Sequence, residues 1–219
     1  MPTQVKENYL KALFSISQKK DTISITELAK MMEVSKPTAN SMVKKMKENG
    51  WVVYEKYKPL KLTPKGQKVA ALIVRKHRLA EMFLSKIMNF GWEEVHDIAE
   101  EMEHLKSIKL FDRMDEILGF PTKDPHGSPI PDKNGEIINP SYLNLTALKE
   151  GEIAKICGLT NSSKDLLLFL NKKNISLGTQ LKVQEIEKFD KSFEVLINDN
   201  EHSIILTYDV CKCLLVEVV

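Results

Sequence analysis

Cysteine is scarce in this chain. Three residues, Cys157, Cys211 and Cys213, occur among 219. That is too few, and an odd number, for a disulfide framework, so reduced thiols in a cytoplasmic protein are the simplest expectation. Long apolar runs are also missing. No stretch of about 18 hydrophobic residues exists, which excludes a helical membrane span. The opening segment MPTQVKENYLKALF lacks the unbroken apolar core of a signal peptide. Net charge is small at +2, while hydrophobic residues make up 42% and charged residues 28%. This balance is that of a folded chain rather than a disordered one. At roughly 100–150 residues per domain, the length leaves room for more than one domain.

The small net charge conceals an uneven distribution. Residues 1–76 carry 16 Lys/Arg and 6 Asp/Glu, whereas residues 77–219 carry 16 and 24. A basic first third points to a polyanion partner. Its pattern agrees. Tyr9, Leu10, Leu13, Phe14 and Ile16 recur at helical spacing. Ile23 and Ile25 alternate with polar residues as in a short strand, and Thr26 is the predicted N-cap of a helix holding Leu28, Ala29 and Met32. Ser35 is the predicted N-cap of the next helix, with Pro37 in its first turn and Ala39, Met42, Val43 and Met46 as its buried stripe. The run WVVYEKYKPLKLT then reads as a two-stranded wing, and Thr63-Pro64 as a new helix start.

This order is that of a winged helix-turn-helix. Ser35, Lys36, Pro37, Thr38, Asn40 and Ser41 would occupy the part of the second helix that meets base edges in a major groove. Lys44 and Lys45 farther along, with Lys56 and Lys58 on the wing, would neutralise phosphates.

The middle third concentrates nitrogen and oxygen ligands. Four of the five histidines lie in residues 77–126, and residues 77–145 hold 7 Lys/Arg against 13 Asp/Glu. His77 and Glu81 are spaced i, i+4 and share a helix face. A second helix, predicted to start near Trp92, carries His96, Glu100, Glu103 and His104. At about 100° per residue these four fall in one arc of about 100°, apart from the core stripe of Val95, Ile98, Ala99, Met102 and Leu105. Gathered carboxylates repel one another unless a cation sits among them. Carboxylate with imidazole suits Mn²⁺ or Fe²⁺, although bare affinity favours Zn²⁺ or Cu²⁺.

The segments KHRLAEMFL (76–84), VHDIAEEMEH (95–104) and LGFPTKDPHGSPIP (118–131) resemble the metal-dependent transcriptional repressors related to the diphtheria toxin repressor and the manganese transport regulator. The first helix, ENYLKALF, and the winged-helix segment match as well. The resemblance implies that His77, Glu81, His96, Glu100, Glu103 and His104 are metal ligands, with Glu100 pointing to the manganese branch. In that branch the first helix offers an aspartate and, three residues on, a glutamate; here these positions are Asn8 and Lys11. Asn8 can still give an amide oxygen. Lys11 cannot ligate while charged and Glu7 points about 100° away on the helix, so one ion or two per subunit both stay open. The Asp124-Pro125-His126-Gly127 turn is read as a packing element, with His126 in a structural hydrogen bond. The family is dimeric through its middle helices, so two winged helices would meet a pseudo-palindromic operator.

Residues 132–142 read as a linker. Beyond them, short strands around one helical segment, SSKDLLLFLNKKN, imply a small SH3-like β-barrel similar to that of ferrous-transport accessory proteins. Cys211 and Cys213 would share one strand face. The fold class is therefore mainly α with small β, in three parts: a DNA-binding domain (1–75), a helical metal-binding and dimerisation domain (76–140) and an SH3-like domain (141–219).

The expected function is a cytoplasmic, homodimeric repressor of metal-uptake genes, activated by Mn²⁺ or Fe²⁺, that binds double-stranded DNA and no membrane. One competing reading is a metallohydrolase. Against it, the ligands nearly fill a coordination sphere and no separate nucleophile motif occurs, so no enzymatic activity is expected. Another is a metal-independent winged-helix regulator.

Overall fold

Apolar spacing of three and four residues builds helix α1, Gln4–Ser17, which buries Tyr9, Leu10, Leu13, Phe14 and Ile16. The computed structural model describes residues 2–20, 22–55, 58–198 and 202–219. Ile23 forms a single antiparallel bridge with Leu60. Helix α2 spans Ile25–Met31 and is capped by Ser24 rather than by the predicted Thr26. The Ser24 hydroxyl accepts from the Glu27 amide at 3.1 Å. Ser-x-x-Glu is the capping-box spacing, and Ser24 has the extended backbone a cap requires.

Helix α3, Lys36–Glu48, starts at Ser35, whose side chain accepts from the Thr38 amide at 3.3 Å. Pro37 occupies its first turn and Ala39, Val43 and Met46 are buried. Strands β1 (Val52–Val53) and β2 (Lys61–Leu62) pair antiparallel, Val52 opposite Leu62. Helix α4 spans Pro64–Lys86. Thr63 caps it by accepting from the Gly66 amide at 3.0 Å while donating to the Gly50 carbonyl at 2.7 Å. A Cβ on Gly66 would fall 2.0 Å from the Trp51 carbonyl oxygen, so only glycine lets the helix start this close to the wing.

Helix α5 spans Val95–Met102 and α6 spans Ile108–Ile117. Trp92 lies ahead of α5 rather than near its start, and Leu105 is 45% exposed rather than in the core. The helix ends at Met102, which leaves Glu103 and His104 in the following turn. The Glu103 amide still donates to the Ala99 carbonyl at 2.9 Å, so Glu103 keeps to the helical track after regular helix ends.

The chain forms two compact units. The first comprises residues 1–80, 99–116 and 130–138. Its core joins α1, α2, α3 and the wing through residues such as Leu10, Leu13, Leu28, Met46 and Leu60. The second comprises residues 81–98, 117–129 and 139–219. It contains a six-stranded antiparallel sheet of β3 (Leu143–Asn144), β4 (Ile153–Leu159), β5 (Gln180–Ile186), β6 (Phe193–Ile197), β7 (Ser203–Leu206) and β8 (Leu214–Val218). The strand order is β3-β8-β4-β5-β6-β7, so the SH3-like fold appears as an open sheet with β3 and β7 at its edges.

Helix α7, Lys164–Lys172, interrupts the strands as expected and buries Leu167 and Leu170. The expectation for Cys211 and Cys213 fails. Thr207 caps a one-turn helix α8, Tyr208–Cys211, by accepting from the Val210 amide. Cys211 is thereby fully buried in the core, while Cys213 sits in the following turn with its thiol on the Asp209 carbonyl at 3.3 Å. Burial pushes the Cys211 thiol up to about 12. Among the described residues no helix is long and apolar enough to cross a membrane.

Candidate metal-binding groups and nucleic-acid interface

The outward face of α3 carries the residues predicted to meet DNA. Ser35, Lys36, Pro37, Thr38, Ser41, Lys44 and Lys45 are exposed. Asn40 is half-buried, and its Oδ1 accepts from the Tyr54 hydroxyl at 2.6 Å. Lys36, Pro37 and Asn40 join Tyr54, Lys58 and Pro59 around a concavity of about 620 Å³ between α3 and the wing. Lys58 pairs with Glu55 at 2.5 Å. Lys56 lies outside the described residues. With its oxygen engaged by Tyr54, Asn40 keeps its amide N–H groups for hydrogen-bond acceptors.

Within the first unit, one group of ligand-type side chains surrounds Glu103, which is fully buried. His77 on α4 places Nδ1 2.7 Å from Glu103 Oε2. The Lys11 ammonium on α1 reaches the same oxygen at 2.8 Å and also binds Glu100 Oε2. Suitable atoms of His77, Glu100 and Glu103 all lie within 4.8 Å of one another. Burial pushes the Glu103 carboxyl up, but the His77 hydrogen bond and the Lys11 charge outweigh it and hold the group below the usual carboxylate range. Glu7, which the sequence reading places off the ligand face, accepts from His104 Nδ1 at 2.6 Å. Because the carboxylate is the acceptor, Nδ1 carries a hydrogen; in the neutral ring Nε2 is then the lone-pair nitrogen, 3.8 Å from Glu103 Oε1. A carboxylate fixing the tautomer of an imidazole in this way is the usual support of a metal-ligating histidine.

This group passes a direct test of fit to a cation. Among the described residues, Asn8 Oδ1 and Glu103 Oε1 are buried without a hydrogen-bond partner. Buried oxygens left unmatched are costly, and a bound cation removes that cost.

Within the second unit, Glu81 on α4, Asp124 and His126 are all buried, with ligand atoms within 4.8 Å of one another. The Asp124 carboxylate accepts from the His126 and Ser128 amides at 2.8 and 2.9 Å, which closes the turn. His126 Nε2 lies 2.8 Å from the Trp92 carbonyl oxygen and therefore donates to it. In the neutral ring Nδ1 is then the lone-pair nitrogen, and it lies 3.9 Å from Glu81 Oε1. His96 approaches that same oxygen through Nδ1 at 3.3 Å, with its side chain 58% exposed. Gly127 makes the turn feasible. Its φ is +85°, and a Cβ there would fall 2.4 Å from the Cys157 carbonyl oxygen. The expected hydrogen-bonding role of His126 is present, but the sequence reading gives no hint that Asp124 and His126 join Glu81.

Three family models match in succession. The N-terminal DNA-binding domain of iron-dependent repressors matches residues 1–60, the metal-binding and dimerisation domain of the same proteins matches residues 63–132, and a FeoA domain matches residues 143–218. A solved manganese-dependent transcriptional repressor in complex with manganese is 31% identical, with a TM-score of 0.87, over 98% of this chain and 100% of that one. The chain belongs to the family of iron- and manganese-dependent transcriptional repressors.

Among curated members of this family, the iron-dependent repressor IdeR of Mycobacterium leprae (strain TN) is 32% identical over 152 residues, 66% of each chain. The matches to IdeR of the Mycobacterium tuberculosis strains span only 54% of those proteins. The diphtheria toxin repressor of Corynebacterium efficiens is 28% identical over 96% of this chain and 94% of its own. The family thus supplies the DNA-binding and metal-binding modules that the charge pattern and ligand faces point to, together with the dimerisation module that the resemblance implies, and its members are DNA-binding regulators.

Proposed function

We propose that this chain is a cytoplasmic, homodimeric repressor whose binding to a pseudo-palindromic operator is activated by Mn²⁺ or Fe²⁺, and that it controls metal-uptake genes. The division into segments 1–75, 76–140 and 141–219 accompanies this reading. The observation that carries it is the buried Glu103 Oε1, without a hydrogen-bond partner among the described residues and 3.8 Å from Nε2 of a His104 ring that Glu7 holds; Asn8 Oδ1 on α1 is likewise buried and unpartnered. In the first unit the ligands would be Asn8, His77, Glu100, Glu103 and His104. In the second, Glu81 and His96 would act, joined by Asp124 and His126. A bound ion supplies positive charge that cancels the repulsion among these carboxylates. The chain's own part is to draw α1 and the turn after α5 together, which orders the DNA-reading unit. Metal and operator then strengthen each other by the same factor, because coupling is reciprocal.

On DNA, Ser35, Lys36, Pro37, Thr38, Asn40 and Ser41 would read bases, and Lys44, Lys45, Lys56 and Lys58 would hold phosphates. The test is an operator-binding titration with and without Mn²⁺, Fe²⁺ and Zn²⁺. Affinity should rise with at least one ion and should lose that response in Glu103→Ala. An affinity indifferent to every metal overturns the proposal.

A further inference from the structure

We propose that Lys11 is a built-in counter-ion that limits the group around Glu103 to a single divalent ion. This rests on the metal-activated reading above and adds the stoichiometry. The Lys11 ammonium binds Glu100 Oε2 and Glu103 Oε2, with its side chain 22% exposed and that of Glu103 0%. A second divalent ion would have to neutralise those same two oxygens. The neighbouring Lys76 ammonium does not compete for them; it is bound by the backbone carbonyls of Glu103 and Leu105 at 2.8 and 3.1 Å.

Lys11 leaves other donor atoms uncovered. Glu103 Oε1 and Asn8 Oδ1 are buried without a hydrogen-bond partner among the described residues. His104 Nε2, turned by Glu7, lies 3.8 Å from Glu103 Oε1. Asn8 lies three residues before Lys11, on the same face of α1. One helix therefore supplies an orienting carboxylate, an amide ligand and a fixed cation.

Charge arithmetic decides between one ion and two. Glu7, Glu100 and Glu103 carry three negative charges and Lys11 one positive, leaving two negative charges. One divalent ion brings the group to neutrality. A second would bury two uncompensated positive charges, or one if it expelled the lysine, and buried unpaired charge is strongly unfavourable. Lys11→Glu reverses the arithmetic. Four carboxylates then match two divalent ions.

The experiment uses the full-length protein loaded with Mn²⁺ and freed of excess ion by gel filtration. Manganese per subunit is counted by elemental analysis and native mass spectrometry, and the ions are examined by electron paramagnetic resonance. Lys11→Glu should hold one more ion per subunit than the wild type and show the spectrum of an exchange-coupled pair, whose ions sit about 3.5–4 Å apart in two-metal sites. The wild type should show no coupled pair, and Glu103→Ala should hold one ion fewer. Equal counts in wild type and Lys11→Glu, or a coupled pair in the wild type, overturn the proposal. So does an unchanged count in Glu103→Ala. The wild-type spectrum and the Glu103→Ala count stand whether or not Lys11→Glu folds. If these counts hold while operator affinity ignores metal, the repressor reading fails and the role of Lys11 survives.

Discussion

The two ligand groups are held in different ways. Around Glu103 the supports are side chains from other elements: Lys11 and Glu7 from α1, and His77 from α4. Around His126 many supports are backbone groups: the Trp92 carbonyl takes its ring N–H, and the amides of His126 and Ser128 hold Asp124. A group fixed by side chains can be retuned by one substitution. A group fixed by backbone depends on the path of the chain and tolerates little. The contrast predicts where each fails.

The largest effect should come from Gly127→Ala. The new Cβ would meet the Cys157 carbonyl oxygen at 2.4 Å and Gly158 Cα at 2.5 Å, at a φ of +85° that disfavours any side chain. Steric overlap and backbone strain together should cost about 4 kcal/mol, read as a lower denaturation midpoint in urea. A midpoint equal to that of the wild type would show that the turn is not backbone-determined.

Lys11→Met tests the other side of the contrast. Removing the ammonium leaves buried Glu103 supported by His77 and opposed by Glu100. With Lys11 partly solvated, metal-free stability should fall by about 2 kcal/mol, less than for a fully buried pair. Saturating Mn²⁺ should recover most of this loss, because the ion replaces the missing charge. If Mn²⁺ gives no larger gain than in the wild type, the ion does not replace the charge that Lys11 supplies to these carboxylates.

These differences also explain what could be read from the residues alone. Helix periodicity places Glu100, Glu103 and His104 in one arc, and the structure gathers Glu100 and Glu103 with His77 although α5 stops at Met102. The i→i−4 bond from Glu103 to Ala99 keeps the angular argument valid for one residue past the helix end. Of the second group, Glu81 and His96 stand out by helix face, but nothing local signals that Asp124 and His126 join them. Glu81 and His126 are 45 residues apart, and a turn fixed by Asp124 and Gly127 brings them together. Chemistry rightly excludes Lys11 as a ligand, but its cationic role depends on which carboxylates it faces, and that is a tertiary fact. The Ser-x-x-Glu spacing that makes Ser24 the cap is present in the residues, whereas the expectation of Thr26 follows from taking Ile23 and Ile25 as a strand. Cys211 was misplaced because a one-turn helix capped by Thr207 leaves no periodicity to detect.

The same contrast between a fixed and a solvated side chain runs across the DNA face, with smaller effects. Tyr54→Phe removes the hydroxyl that holds Asn40 at 2.6 Å. The loss of one hydrogen bond should weaken operator binding by about 1 kcal/mol, roughly fivefold, and blur preference at the base facing Asn40. Binding of a panel of single-base operator variants checks this. An unchanged preference would place Asn40 away from the bases.

Lys44 is exposed on α3, and among the described residues no hydrogen bond or ion pair fixes the direction of its charge. Lys44→Ala should lower affinity equally for operator and unrelated DNA, and the slope of log affinity against log salt should shrink by about one. The two substitutions separate the roles. A fixed amide reads sequence because its donors point one way, whereas a mobile ammonium follows phosphate wherever the backbone runs. A Lys44→Ala protein that keeps the wild-type salt slope but changes its base preference would invert that assignment.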